Sequence, residues 1–428
     1  MPGKTYQAPR GTSDLLPPDS ERWARVEAAA RRLFRLYGFR EIRTPIFEAR
    51  ELFERGIGET TDIVEKQMYV FQDRGGDWLA LRPEGTASVL RAFVEHRLDQ
   101  TAPPPYRYFY IGPMFRHERP QRGRYRQFHQ IGVEALGESA PEVDAEVIAL
   151  GWAFLRHVGA RDVRVELNSI GCSACRPAYQ AALRAYWQTH ADELCLDCRR
   201  RMDRNPLRVL DCKNEACQAV LQGAPVIDAY WCDPCRTHFE AVRAALAVLD
   251  VPYVRNARLV RGLDYYMRTA FEMTAEGLGA QNAVLGGGRY DGLLQALGGP
   301  DWPGVGFAIG MERLMAILPE AADSTPALAV MFLPLTEAAR GVALRGVQAV
   351  RRLGVSAWAR MDVGSVKSGL RGAHRAGVRF AVIIGDDELR AGRWTVRDMQ
   401  ASRQETLSPE EAVEVIRRAL LETPVPVT

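Results

Sequence analysis

The sequence predicts an α+β body, interrupted by a helical, cysteine-rich insertion and followed by a compact α/β domain. Three observations predict it. Residues 110–134 begin apolar, turn densely basic and return to an alternating apolar pattern, which reads as strand, long loop, strand. All eight cysteines lie between Cys172 and Cys235, among helical stretches. Beyond residue 326, short apolar strands alternate with amphipathic helices. The expected boundaries are 1–170 and 251–320 for the body, 171–250 for the insertion and 326–428 for the last domain. Residues 319–325 form a candidate linker.

A chain of 428 residues has room for two or three domains. Apolar content of 47% with 25% charged residues is ordinary for a globular protein. A formal net charge of +3 excludes a bulk polycation, so nucleic-acid contact must rest on local patches. Four of the 56 basic residues are lysines (Lys4, Lys66, Lys213, Lys367) and the other 52 are arginines. Arginine suits phosphate recognition, although genome-wide base composition explains such a bias as well. No run approaches the ~18–20 apolar residues of a membrane span. The first residues, Met1–Thr5, lack the apolar core of a signal peptide. The expectation is a soluble cytoplasmic protein, in which clustered cysteines point to metal rather than disulfide.

Taken in order, Asp19 or Ser20 caps a helix running to about Tyr37, with Trp23, Val26, Ala30, Leu33 and Phe34 on one face. Gly38 ends it. Residues 39–47 alternate as a strand, and Pro45 places that strand at an edge or interface. Residues 67–71 form a short strand. In the stretch from Leu79 to Thr86, Pro83 and Gly85 punctuate a strand end, and Thr86 caps a helix over 87–94. Glu84 and Thr86 then sit at a helix N-terminus, where backbone amides face a pocket. The plainer alternative is a salt bridge from Glu84 to Arg82.

The hairpin over 110–134 turns at Pro120–Gly123 and crowds Arg116, Arg119, Arg122, Arg124 and Arg126 together. Guanidinium groups match phosphate oxygens in pairs, so the hairpin reads as a cradle for a polyphosphate or a nucleic-acid backbone. Such runs are also found as solvated loops. Here Phe128, Gln130, Gly132 and Glu134 share one face of the returning strand, and Phe128 offers a stacking surface. A helix over 141–158 and a strand over 162–170 follow.

The cysteines form four pairs: Cys172/Cys175, Cys195/Cys198, Cys212/Cys217 and Cys232/Cys235. Gaps of two or four residues let two thiolates reach one ion, so the pairs supply ligands for two all-cysteine tetrahedral zinc sites. Buried, reduced cysteines acting as small hydrophobes are the alternative. Helical stretches over 178–190 and 238–249 flank them.

Residues 251–314 return to short strands and glycine turns, including Arg261-Gly-Leu-Asp-Tyr-Tyr266 and Leu285-Gly-Gly-Gly-Arg-Tyr290. Arg313 lies early on a helix after a glycine turn. Strands over 327–335, 355–360, 380–384 and 394–398, with helices over 336–353, 365–376 and 409–421, make the last domain; Ser408 caps its final helix.

The phrase Phe115-Arg-His-Glu-Arg119 resembles motif 2 of class II aminoacyl-tRNA synthetases. Residues 112–132, the two blocks at 261–266 and 285–293, and the segment 304–314, which resembles motif 3, are similar to histidyl-tRNA synthetases. The helix and strand over 19–47 resemble motif 1. The resemblance spans the chain in order. It implies an antiparallel catalytic sheet flanked by helices, a C-terminal anticodon-binding domain, a homodimer, and an insertion lying over the tRNA acceptor end. It implies L-histidine, ATP with Mg²⁺, and tRNA(His) as ligands. Glu84, Gly85, Thr86, Gln130, Glu134, Tyr265 and Tyr266 would bind histidine. Arg116 and Arg261 would be catalytic, and Arg116, Arg261 and Arg313 would bind ATP. A metal is not a general feature of that family, so the zinc reading stands on the cysteine spacing alone. Such a reaction needs no enzymic nucleophile, and none is visible. A pocket pairing both imidazole nitrogens rejects isosteres, so no editing domain is expected.

Two rival functions differ in class. One is the histidine-binding regulatory subunit of ATP phosphoribosyltransferase, a silent paralogue that generally lacks Arg261 and the added C-terminal domain. The other is a zinc-stabilised RNA-binding protein, which leaves three separated motifs around one site unexplained.

Overall fold

The computed structural model describes residues 6–58, 61–121, 123–278, 282–319, 329–362 and 364–421. Arg122, Met1–Thr5 and most of the candidate linker lie outside the described residues. The chain separates into two compact units, one ending at Glu320 and one beginning at Ala321.

The first unit is organised on an eight-stranded sheet. Its order is Arg40–Glu41, Tyr106–Phe115, Gln127–Leu136, Gly304–Gly310, Ala283–Arg289, Met267–Thr274, Arg164–Ser169 and Tyr253–Arg255. The six inner strands pair antiparallel, and the two short outer strands are parallel to their neighbours. The arginine-rich hairpin supplies two of the inner strands, in a register that sets Tyr110 opposite Gly132 and Gly112 opposite Gln130.

Helices cover one face. Asp19–Leu36 buries Trp23, Val26, Ala30 and Phe34, and Leu33 is half-buried beside them. The Phe34 ring meets Phe109, Phe154 and Phe307 edge-on at centroid distances of 5.6, 5.3 and 6.1 Å. The helix begins at Asp19 with Pro18 in the cap position, so neither Asp19 nor Ser20 caps it. Gly38 follows its end with φ +80°, a left-handed conformation that glycine adopts at little cost because it has no β-carbon. Pro141 opens the helix Pro141–His157, where its missing N–H is one of the unbonded group anyway.

Further expectations change. Residues 39–47 are not one strand: Arg40–Glu41 pairs in the large sheet and Phe47–Ala49 in a separate three-stranded sheet with Trp78–Leu81 and Val70–Gln72. Pro45, which has no N–H to give a ladder, lies in the break between them. Thr86 does not cap its helix either. Helix Thr86–Glu95 starts at Thr86, and the Glu84 carboxylate does the capping, accepting from the N–H groups of Thr86 (2.7 Å) and Ala87 (2.9 Å). A longer side chain two residues upstream reaches the free amides that the Thr86 hydroxyl cannot. Arg82 does not bridge to Glu84; it donates to carbonyl oxygens of Pro113, Thr44 and Pro45.

The insertion contains helices Arg176–Thr189, Leu196–Arg204, Glu215–Gln222 and Asp233–Val248. Its buried Trp187, Phe239 and Leu246 belong to the same apolar core as Phe271 and Val165 of the sheet. Asp144, fully buried, ties them: it accepts from Arg289 Nε at 3.1 Å and stands 2.9 Å from His238 Nε2 of the insertion. Removing one partner of such a pair leaves an uncompensated charge in the core.

The second unit is a five-stranded sheet in the order Ala357–Ala359, Val330–Pro334, Phe380–Ile384, Trp394–Asp398, Arg403–Leu407, parallel in its first three strands and antiparallel thereafter. Phe380–Ile384 is buried at every position. Ser365 and Ser408 accept from the N–H groups of Ser368 (3.3 Å) and Glu411 (3.2 Å), capping Val366–Arg375 and Pro409–Leu421. The helix Asp386–Ala391 and the strand Arg403–Leu407 carry no apolar pattern and were not expected.

Candidate active site

One cavity opens on the sheet, between the hairpin strand Gln127–Leu136, the strands Gly304–Gly310 and Ala283–Arg289, and the start of helix Thr86–Glu95. Glu84, Thr86, Arg116, Gln130, Arg261, Tyr265, Tyr266 and Arg313 all line it, although they come from five separate stretches of sequence. Gly85 and Glu134 do not line it themselves; Gly85 adjoins the lining residues Glu84 and Thr86, and Glu134 is bonded to Thr86. Gly85 leaves space for the Tyr110 ring, whose carbons would stand 2.4 Å from a β-carbon there.

Each wall has a local cause. The carboxylate of Glu84 is held at the helix start by two amides and is 3% exposed, so burial raises its pKa against those bonds and the charge of Arg116. The Arg116 guanidinium lies over the Phe128 ring at 5.2 Å, and its Nε donates to Pro83 O at 2.8 Å. Gln130 lines the cavity, and its Oε1 is buried without a hydrogen-bond partner among the described residues. Across the cavity, Arg261 pairs with Glu272 and lies over the Tyr266 ring at 5.6 Å. Its guanidinium rests on the backbone of Gly286, where a β-carbon would meet Nη2 at 2.1 Å. The glycine run thus makes room for the protein's own arginine, not only for a ligand. Glu312, beside Arg313, accepts from the backbone N–H of His129 (2.9 Å) and contacts its Nδ1 (3.0 Å), fixing helix Met311–Ile317 to the hairpin strand.

Glu134 is 1% exposed. One oxygen accepts from Thr86 Oγ1 at 2.7 Å and the other from the Tyr290 hydroxyl. Burial raises its pKa from 4.5 to about 8, outweighing both hydroxyl bonds. Between those values the folded chain keeps a proton that the unfolded chain has released, so folding loses stability as pH rises through that window. At about 1.4 kcal/mol per pH unit the loss across that window is on the order of 5 kcal/mol. Glu134→Gln cannot titrate, so its stability deficit relative to the parent shrinks from pH 5 to pH 8 in urea unfolding; a constant deficit would contradict a neutral Glu134.

Sequence reasoning missed Glu272, Tyr290, Glu118 and Glu312. Glu272 stands opposite Gly286 in register, a placement visible only once the strands are paired. Tyr290 reaches Glu134 across 156 residues and leaves no local signal.

The insertion gathers the cysteines into two groups, Cys172/Cys175/Cys232/Cys235 and Cys195/Cys198/Cys212/Cys217, each with its sulfurs within 4.8 Å of one another.

Comparison with known proteins agrees with this layout. Residues 11–314 match the histidyl-tRNA synthetase family, and residues 329–419 match an anticodon binding domain. The chain is similar to histidine–tRNA ligases of Halothermothrix orenii (49% identity, 96% of this chain and 99% of that one) and Desulforudis audaxviator (51%, 96% and 98%). Its structure resembles that of apo S. aureus histidyl-tRNA synthetase, with a TM-score of 0.81 at 35% identity, over 96% of this chain and 100% of that one. With the family match covering most of its length and half its residues shared with such relatives, the chain belongs to the histidyl-tRNA synthetase family.

Proposed function

We propose that this chain activates L-histidine with ATP and transfers the histidyl group to the 3′ end of tRNA(His). One observation carries the reading: in a chain of this family, a single cavity sets buried acceptors, Glu84 and Gln130, against three arginines, Arg116, Arg261 and Arg313. An ammonium needs the first set, and a triphosphate needs the second.

In the first step an oxygen of the histidine carboxylate attacks the α-phosphorus. An O–P bond forms to give histidyl-adenylate, and the bond to the β-phosphate oxygen breaks to release pyrophosphate. The terminal ribose hydroxyl of tRNA then attacks the acyl carbon, and AMP leaves. The nucleophiles belong to the substrates, so catalysis consists of alignment and of stabilising phosphate charge. Glu84 and Gln130 hold the α-ammonium, with Thr86 beside them at the helix start. Arg116 binds the histidine carboxylate and the α-phosphate. Arg261 meets that phosphate from the opposite wall, and Arg313 clamps the distal end of ATP. Glu118 and Glu272, which line the cavity, would offer oxygen ligands to a Mg²⁺ ion accompanying ATP, which would offset phosphate charge there.

Glu134, Tyr265 and Tyr266 read the imidazole. Thr86 and Tyr290 occupy one acceptor site on each Glu134 oxygen, and a carboxyl group keeps further acceptor capacity for a ring nitrogen. A groove lined by Arg200, Arg201, Arg208 and Lys213, with Asp62, Glu118, Asp197 and Asp211 among them, continues to Arg116 and Arg124, which also line the cavity; its six bases outnumber its four acids and offer the acceptor strand a net positive path to the site. Phe47, Phe71 and Trp78 expose apolar surface on the three-stranded sheet, which supports a dimer through that region. The regulatory-subunit reading is weaker, because Arg261 stands in the cavity and residues 329–419 match an anticodon binding domain.

Charging of unfractionated tRNA with labelled histidine tests the assignment. Label is expected on tRNA(His) alone; adenylate formation with no label on any tRNA would overturn the transfer step.

A further inference from the structure

We propose that this chain holds two structural zinc ions, each bound by four cysteine thiolates, in a nested arrangement that braces the back of the active site. The first pair of cysteines joins the fourth, and the second pair joins the third. The outer site, Cys172/Cys175/Cys232/Cys235, joins the two ends of the insertion in sequence, and the inner site, Cys195/Cys198/Cys212/Cys217, lies between them in sequence.

Geometry carries the assignment. Sulfurs about 2.3 Å from a tetrahedral zinc stand roughly 3.8 Å apart. In the outer group Cys172 lies 3.7 Å from Cys175 and from Cys232, and Cys175 lies 3.8 Å from Cys235. In the inner group Cys195 lies 3.9 Å from Cys212. These are edges of such a tetrahedron, and they are far longer than the ~2.05 Å of a disulfide. Cysteines buried as plain hydrophobes have no reason to converge in fours, each four drawn from two separate segments. Backbone N–H groups also point at sulfur: Cys172 N at Cys175 Sγ (3.2 Å), Cys195 N at Cys217 Sγ (3.2 Å) and Asn214 N at Cys212 Sγ (3.5 Å). Such donors favour thiolates, the form that binds metal. Softness and tetrahedral S₄ geometry select zinc among the common divalent ions.

Each site borders the catalytic cavity through one arginine. Arg176, next to Cys175, donates to the carbonyls of Gly171 (3.2 Å) and Tyr266. Arg208, on the turn Pro206–Asp211 that leads into Cys212, donates to the carbonyl of Arg261 at 3.2 Å. From the same turn's cap, Asn205 Nδ2 donates to Asp264 at 2.8 Å. The inner zinc therefore fixes the segment against which the Arg261 loop is built, and the outer zinc fixes the segment behind Tyr266.

Metal content is read without turnover, so this inference stands or falls apart from the enzymatic reading. Full-length protein purified without chelator from zinc-supplemented cells is expected to carry about two zinc ions per chain by elemental analysis. Cys172→Ser with Cys232→Ser, and Cys195→Ser with Cys212→Ser, are each expected to leave about one. Where these variants fail to fold, Co²⁺ titration of the reduced, zinc-stripped parent decides: two equivalents are expected to bind, with the visible and thiolate charge-transfer bands of tetrahedral S₄ coordination. Protein that carries no zinc, has eight freely titratable thiols and gives no such bands overturns the proposal. Saturation at one equivalent overturns the nested pair.

Discussion

Arg261→Ala is expected to slow histidyl-adenylate formation by roughly 10²–10³-fold, the scale seen when one preorganised donor to a transition-state oxyanion is removed. ATP affinity changes little, because Arg116 and Arg313 line the same cavity and stay in place. The expectation follows from how Arg261 is held. Glu272 takes one side of its guanidinium, Tyr266 lies beneath it, and Gly286 lets it settle on the sheet. A group fixed this firmly before substrate arrives costs no reorganisation when charge builds on the α-phosphate. Arg261→Lys keeps the charge without the planar fork, so recovery is partial. Single-turnover kinetics beside equilibrium ATP binding separates the two effects. Near-normal turnover in the alanine variant would remove Arg261 from the mechanism.

Glu84 carries the second large effect, because its carboxylate has two duties. It caps helix Thr86–Glu95 through two amides and presents negative charge to the ammonium site. Glu84→Ala strips both, so a stability loss of about 1–2 kcal/mol is expected alongside a loss of roughly 100-fold or more in kcat/KM for histidine. Glu84→Gln loses the charge and keeps one oxygen for the helix, because its NH2 cannot accept from the second amide. Its stability should fall between those of the parent and Glu84→Ala while KM for histidine rises. Loss of stability with KM for histidine unchanged in both variants would make Glu84 a cap and nothing more.

These residues differ in how plainly the sequence announces them. Gln130 and Phe128 were legible because a strand alternates, and the alternation alone puts both on the cavity side. The cysteine knuckles were legible from spacing, but their nesting was not: which pair meets which depends on where the insertion's helices turn. Glu84 was expected at a helix start, yet the cap was assigned to Thr86, since local preference ranks hydroxyls without knowing which side chain reaches the amides. Pro45 reads from sequence as a mark of an edge or interface strand over 39–47, whereas the split of that stretch between two sheets is set by partners far along the chain. Tyr290 and Glu272 were out of reach for the same reason, because each gains its role only from a strand pairing. Sequence pattern reports periodicity and punctuation well, and it reports partners poorly.

The central claim is histidine activation, and ATP–pyrophosphate exchange with each of the twenty amino acids in turn tests it most directly. Exchange stimulated by histidine alone is the predicted result. Tight histidine binding with no exchange would contradict it and point to the regulatory paralogue; exchange with a different amino acid would contradict the reading of Glu134, Tyr265 and Tyr266 as an imidazole pocket.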